Sequence, residues 1–182
     1  MILFADVRQF TPLTQHFASQ AEAFVHFLND YFRHMTRCVE QHGGFVDKFI
    51  GDALMAVFSL PQPRLEKDAE QAVLAALMMQ EELARFNRKQ PEHMPRFTIG
   101  IGLHAGVVNA GLIGSPQKRS YTVIGNAVNV ASRLEGMTKS LGASILISQA
   151  VMIRLPRPDR FLLRGLGATT RRAVQSGSRC LV

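Results

Sequence analysis

Only two of the 182 residues are cysteine, Cys38 and Cys180, and they stand far apart in the chain. That pattern offers no disulfide framework and fits a reducing compartment. No apolar run approaches the roughly 18 residues that a membrane-spanning helix needs. No leader-like segment precedes the first apolar stretch, so a cytoplasmic location is expected, either as a free protein or as the cytoplasmic portion of a membrane-bound parent. Internal repeats, low-complexity segments and a domain boundary are also missing. One domain over residues 1–174 is expected, followed by a basic, disordered tail over 175–182.

Acidic residues are the minority charge, 14 against 21 lysines and arginines, for a net +7. The excess is local, because Arg154 to Val182 holds seven arginines and one aspartate. Those arginines are not interleaved with a series of aromatics, as a base-stacking surface would require, so a solvated basic end is expected and no nucleic-acid partner. What is present is ordinary for a soluble globular protein: 47% hydrophobic and 19% charged residues, in a chain long enough to bury a core without staples.

The apolar pattern alternates between strand-like and helix-like stretches. Met1 to Val7 predicts a buried strand. Thr11 predicts an N-cap with Pro12 at the first helical position. A long amphipathic helix follows, with Phe24, Phe27, Leu28, Tyr31, Phe32, Met35 and Val39 on one face, ending at Gly43-Gly44. Phe45 to Ile50 and Ala53 to Phe58 predict two strands joined at Gly51-Asp52. After a loop marked by Pro61 and Pro63, Glu66 to Arg88 predicts a second helix with Ala69, Ala72, Val73, Ala76, Leu77, Leu83 and Phe86 inward. Phe97 to His104 and Tyr121 to Ile124 predict strands, Asn126 to Ser140 a third helix, and Ser144 to Ile147 a last strand. The order strand, helix, strand, strand, helix, strand implies an α+β ferredoxin-like sandwich: a central, mostly antiparallel sheet covered by helices.

Three places carry chemistry. Asp6 is an acidic residue near the end of an apolar strand, and the helix start at Phe10-Thr11-Pro12 offers free backbone N–H groups that suit a phosphate. The plain alternative is a strand-end residue beside a capped helix. Gly51-Asp52 is a hairpin turn in its own right. A hairpin beside the first strand would also bring Asp52 to Asp6, and two facing carboxylates call for a cation, magnesium or manganese if phosphates are near. Lys48, four residues before Asp52, shares its face if the strand is regular. Asn126, Asn129 and Arg133 line one side of the third helix, opposite Ala127, Val130, Ala131 and Leu134. That side is either an ordinary polar outside or a face presented to a ligand.

Taken together and in order, Phe4-Ala5-Asp6-Val7-Arg8-Gln9-Phe10-Thr11, Phe49-Ile50-Gly51-Asp52 and Tyr121 to Leu134 resemble the two metal motifs and the transition-state helix of class III adenylate and guanylate cyclase catalytic domains. The resemblance runs from the first strand to about Ile147. It implies that Asp6, Asp52 and the backbone carbonyl of Val7 hold two ions, Mg2+ or Mn2+, and that amides around Phe10 and Thr11 bind the terminal phosphates. It implies that Lys48 and Thr122 read the purine of ATP, that Asn129 orients the ribose and that Arg133 stabilises charge on the phosphates. Thr122 in place of the Asp most often seen in animal cyclases resembles a mainly bacterial Lys/Thr subgroup, in which bicarbonate stimulates some members. It further implies a head-to-tail homodimer whose sites are shared, with regulatory domains in the parent protein.

Two features depart from the family pattern. The chain begins almost at Asp6, which gives the expectation of a catalytic fragment. Leu163-Arg164-Gly165-Leu166-Gly167 keeps a family turn, but Ala168 to Arg172 diverges, leaving Arg171 as the candidate for the usual phosphate-binding Lys. The competing readings are a pseudocyclase that binds nucleotide and regulates a partner, a guanylate cyclase, a diguanylate cyclase or polymerase palm, and a nucleic-acid module. The glycine-glycine-acidic signature of diguanylate cyclases is absent.

Overall fold

The computed structural model describes residues 1–59, 65–168 and 179–181. Its elements in chain order are β1 (Ile2–Arg8), α1 (Phe10–His16), α2 (Ala21–Gln41), β2 (Phe45–Ile50), β3 (Ala53–Val57), α3 (Leu65–Lys89), β4 (Thr98–His104), β5 (Asn109–Ser115), β6 (Lys118–Ile124), α4 (Asn126–Ser140), β7 (Ile145–Ser148), α5 (Gln149–Met152), β8 (Gly165–Ala168) and β9 (Arg179–Leu181). The main sheet runs β2-β3-β1-β4-β7-β9-β8, antiparallel throughout except for the β4–β7 pair. Its first four strands have the ferredoxin-like order that the pattern implied. Pro61, Pro63, Arg171 and the tail expectation up to residue 178 lie outside the described residues.

Period-two alternation splits β1 between two cores. Leu3, Ala5 and Val7 pack with Leu54, Ala56, Ile99, Ile101 and Leu103 against α2 and α3. Ile2 and Phe4 pack with Met55 and Val57 against Val123 of β6 and Ala127 and Ala131 of α4. Helices therefore cover both faces. Asp6 continues the second row, so the strand carries its carboxyl to the α4 face.

α4 lies directly on the sheet. A Cβ on Gly102 of β4 would sit 2.3 Å from the backbone nitrogen of Glu135 and 2.4 Å from the carbonyl oxygen of Ala131. One on Gly100 would sit 2.3 Å from the Thr138 hydroxyl. Only glycine lets the helix approach this closely.

Several expectations need correction. Thr11 is not an N-cap: α1 starts at Phe10, after Gln9 in a left-handed conformation (φ 59°). Pro12 is then the third helical residue, where its missing N–H is still harmless. The long helix is broken at residues 17–20. In one continuous helix Phe10 and Phe24 would be about 21 Å apart at 1.5 Å per residue. The break lets their rings meet at 5.7 Å, with Phe17 against Phe24 and Phe27 at 5.4 Å. Leu77 is 42% exposed, because the inward row of α3 runs Ala69, Ala72, Ala76, Met79, Leu83, Phe86 and leaves Leu77 about 100° off it. Tyr121–Ile124 is the end of a longer strand that pairs with β5 as a separate two-stranded arm, outside the main sheet. Residues 179–181, expected in the tail, pair as β9 with β7, giving partners to backbone groups that would otherwise form a bare edge.

Candidate active site

Asp6 and Asp52 meet as the hairpin geometry predicts. β3 is the antiparallel neighbour of β1, and the turn between β2 and β3 has Gly51 at φ 64°, the positive value a two-residue hairpin needs at this position. The two carboxyls lie within hydrogen-bonding reach of each other. Burial raises the pKa of both, and the charge of Asp52 raises Asp6 further, partly offset by the Val7 backbone N–H. Directly across from Asp6 on β4 stands Gly100, whose missing side chain makes room for Glu135 and Thr138 of α4. Glu135 is pushed up to about 7, first by burial, then by Asp6 and Asp52 on one side and against the pull of Arg8. On the other side of the sheet the fully buried Tyr31 hydroxyl has no hydrogen-bond partner among the described residues, and the same two carboxylates help to raise its pKa after burial.

Three carboxyls thus crowd a half-buried place and each resists ionisation. A hard cation bound there would reverse that, and oxygen donors are what magnesium and manganese take. The donor set fits such an ion, although no trio of His, Cys, Asp and Glu converges closely enough to hold a metal unaided among the described residues. A cleft of about 440 Å3 opens beside the pair, lined by Asp6, Val7, Arg8, Gln9, Glu135 and Lys139 among others. Phe10 and Thr11 form the first turn of α1, where backbone N–H groups have no acceptor within the helix.

Lys48 and Thr122 form a second cluster. The ladder between β2 and β3 shifts register between Val46 and Lys48, while Lys48 to Ile50 pairs regularly with Met55 to Ala53, as the alternation towards Asp52 assumed. The irregularity inserts Asp47 and turns it, with Lys48, towards β6. Thr122 Oγ1 donates to Asp47 Oδ2 at 2.7 Å, and Lys48 Nζ lies 3.4 Å from the same oxygen. The structure therefore joins Lys48 to Thr122 through a residue that sequence reasoning passed over. Phe45-Val46-Asp47-Lys48 reads as an ordinary edge strand with adjacent charges, and nothing in that pattern announces a bulge.

On α4 the buried residues are Ala127, Val130, Ala131, Leu134 and Thr138, while Asn126, Asn129 and Arg133 are exposed, as the spacing predicts. The α4 residues that line the Asp6 cleft are Glu135, Gly136 and Lys139. Arg133 and Glu135 are about 200° apart around the helix. The position of Arg133 is thus on the opposite side of the helix from the residue that lines the Asp6 cleft.

The chain matches the family model described as adenylate and guanylate cyclase catalytic domain over residues 1–172. It is 40% identical over 168 residues to an adenylate cyclase of Anabaena cylindrica, covering 90% of this chain and 32% of that protein. The chain spans about a third or less of the length of such curated relatives. Among solved structures, a bacterial light-regulated adenylyl cyclase superposes with a TM-score of 0.86 at 30% identity, over 100% of this chain and 50% of the other. The adenylyl cyclase CyaB from P. aeruginosa superposes with a TM-score of 0.85 at 31% identity, over 99% of this chain and 90% of the other.

Proposed function

This chain belongs to the adenylate and guanylate cyclase catalytic domain family, and from that premise we propose that it converts ATP to 3′,5′-cyclic AMP and pyrophosphate at two sites shared by identical chains paired head to tail. What supports the reading is the Asp6–Asp52 carboxyl pair within one chain, while Arg133 is exposed at a position about 200° around α4 from Glu135, the residue that lines the cleft beside Asp6. A second copy brings its own Arg133 to those carboxylates, and a two-fold pair makes two equivalent sites. The catalytic domain comprises residues 1–174 together with β9, which pairs with β7 in the main sheet. Segments of a longer parent protein supply its regulation, and the domain works in the cytoplasm. Among the described residues no helix is long and apolar enough to cross a membrane.

Magnesium or manganese, two ions per site held by Asp6, Asp52 and the Val7 carbonyl, would lower the pKa of the ribose 3′-hydroxyl and neutralise the triphosphate. The chain's own groups do the rest. Amides of Phe10 and Thr11 hold the terminal phosphates. Asn129 of the partner chain's α4 orients the ribose so that its 3′-oxygen stands in line with the α-phosphorus. As the new P–O bond forms and the bond to pyrophosphate breaks, Arg133 stabilises the growing negative charge. Lys48 donates to the adenine N1 acceptor; guanine presents a donor there, so GTP meets two opposed donors.

Purified protein incubated with manganese and either ATP or GTP, with products separated by chromatography, tests this. Cyclic AMP from ATP, with little cyclic GMP, is expected. No cyclic nucleotide, or cyclic GMP as the main product, would overturn the reading.

A further inference from the structure

A hydroxyl both donates and accepts, so Thr122 by itself is blind to the difference between an amine and a carbonyl. The surroundings of Thr122 remove that freedom. Its single proton is committed to Asp47 Oδ2 at 2.7 Å. Thr122 is only 5% exposed and the Asp47 side chain 0%, so water cannot take over the bond cheaply. Asp47 Oδ1 has no hydrogen-bond partner among the described residues, so the carboxylate depends on Thr122 and Lys48 for its donors. Rotating the threonine proton away would leave a buried carboxylate with one fewer donor.

We propose that Asp47 is a specificity-determining positioning residue: by holding the Thr122 proton it leaves the hydroxyl as an acceptor only, which suits the exocyclic amine of adenine and repels the O6 carbonyl of guanine. Lys48, a donor in any surroundings, reads N1, and Thr122, made an acceptor by Asp47, reads position 6. The bulge in β2 is what brings the acid to them. This rests on the base-subsite reading of Lys48 and Thr122 given above.

The test measures kcat/KM for ATP and GTP with manganese in the wild type, Asp47→Asn, Thr122→Val and the double variant. Asn can donate to Thr122 and turn its proton outward, so Asp47→Asn is expected to lower the ATP/GTP ratio at least tenfold. In the Thr122→Val background the same change is expected to shift the ratio less than about twofold, since no hydroxyl is left to orient. An unchanged ratio in Asp47→Asn, or an equal drop without the hydroxyl, overturns the proposal. Wild-type protein supplies a readout that needs no variant to fold: 6-methoxypurine riboside triphosphate keeps the N1 acceptor but puts an acceptor at position 6. It is expected to be at least tenfold poorer than ATP, and equal use would overturn the proposal. A wild type that makes no cyclic nucleotide removes the functional reading and this inference with it. A wild type that prefers ATP while Asp47→Asn leaves the ratio unmoved removes only the inference.

Discussion

Arg133 and Glu135 stand two residues apart on α4 and face opposite sides of it: Glu135 is half-buried within reach of the Asp6 charge, and Arg133 is exposed. One helix thus supplies a carboxyl to its own chain's acidic cluster and carries Arg133 on its exposed side. Gly100 and Gly102 fix the helix in that rotation by letting it rest on the backbone of β4.

The acidic cluster predicts how metal and stability are coupled. Asp6 and Asp52 have raised pKa values, so each contributes stability that is present at low pH and lost as pH rises through the folded pKa. Metal-free Asp52→Asn should therefore melt no lower than metal-free wild type at pH 7. Manganese should raise the melting temperature of the wild type and leave that of the variant in place. Asp6→Ala and Asp52→Ala should both abolish turnover while keeping the fold, as read by circular dichroism.

Glu135 gives a narrower pH signature. Its folded pKa is about 7 against an ordinary 4.5, so the unfolded chain loses this proton first. Between those values the unfolded state binds fewer protons than the folded one, and stability falls as pH rises. In metal-free protein, Glu135→Gln should gain on wild type steadily from about pH 4.5 to about pH 7 and run parallel to it above. Equal pH profiles of the melting temperature in the two proteins would contradict this.

Gly102→Ala tests the seat of α4. The added methyl meets backbone atoms of Ala131 and Glu135, which cannot swing aside as a flexible side chain would. Overpacking of this kind costs about 1–3 kcal/mol. Urea denaturation should report a loss in that range, with activity falling as α4 lifts from the sheet.

Much of this is legible in the sequence wherever a periodic pattern and a terminator agree. α4 matches the expected Asn126–Ser140 because its apolar residues recur at helical spacing on one side. The hairpin at Gly51-Asp52 was visible because few other residues take the positive φ it needs. The unreadable parts depend on tertiary contacts. Nothing between Phe17 and Gln20 marks a helix break, which comes from the packing of Phe10, Phe17 and Phe24. β5 carries Gly111 and Gly114 and is mostly exposed, so it lacks both strand propensity and alternation. Asp47 carries no sign of its role in the sequence, because a bulge leaves no mark on the residue pattern.

The shared site is the centre of the account, and mixing two dead proteins tests it. Asp52→Ala and Arg133→Ala should each be inactive as homodimers, since every site lacks either its cation pair or its guanidinium. In a mixed dimer one site collects both lesions and the other none. Random exchange makes about half the dimers mixed, so about a quarter of all sites are whole. With subunit exchange confirmed separately, the mixture should recover roughly that fraction of wild-type turnover, if the sites act independently. No recovery would mean that Asp52 and Arg133 serve the same chain, and the shared site would be wrong even if the protein makes cyclic AMP.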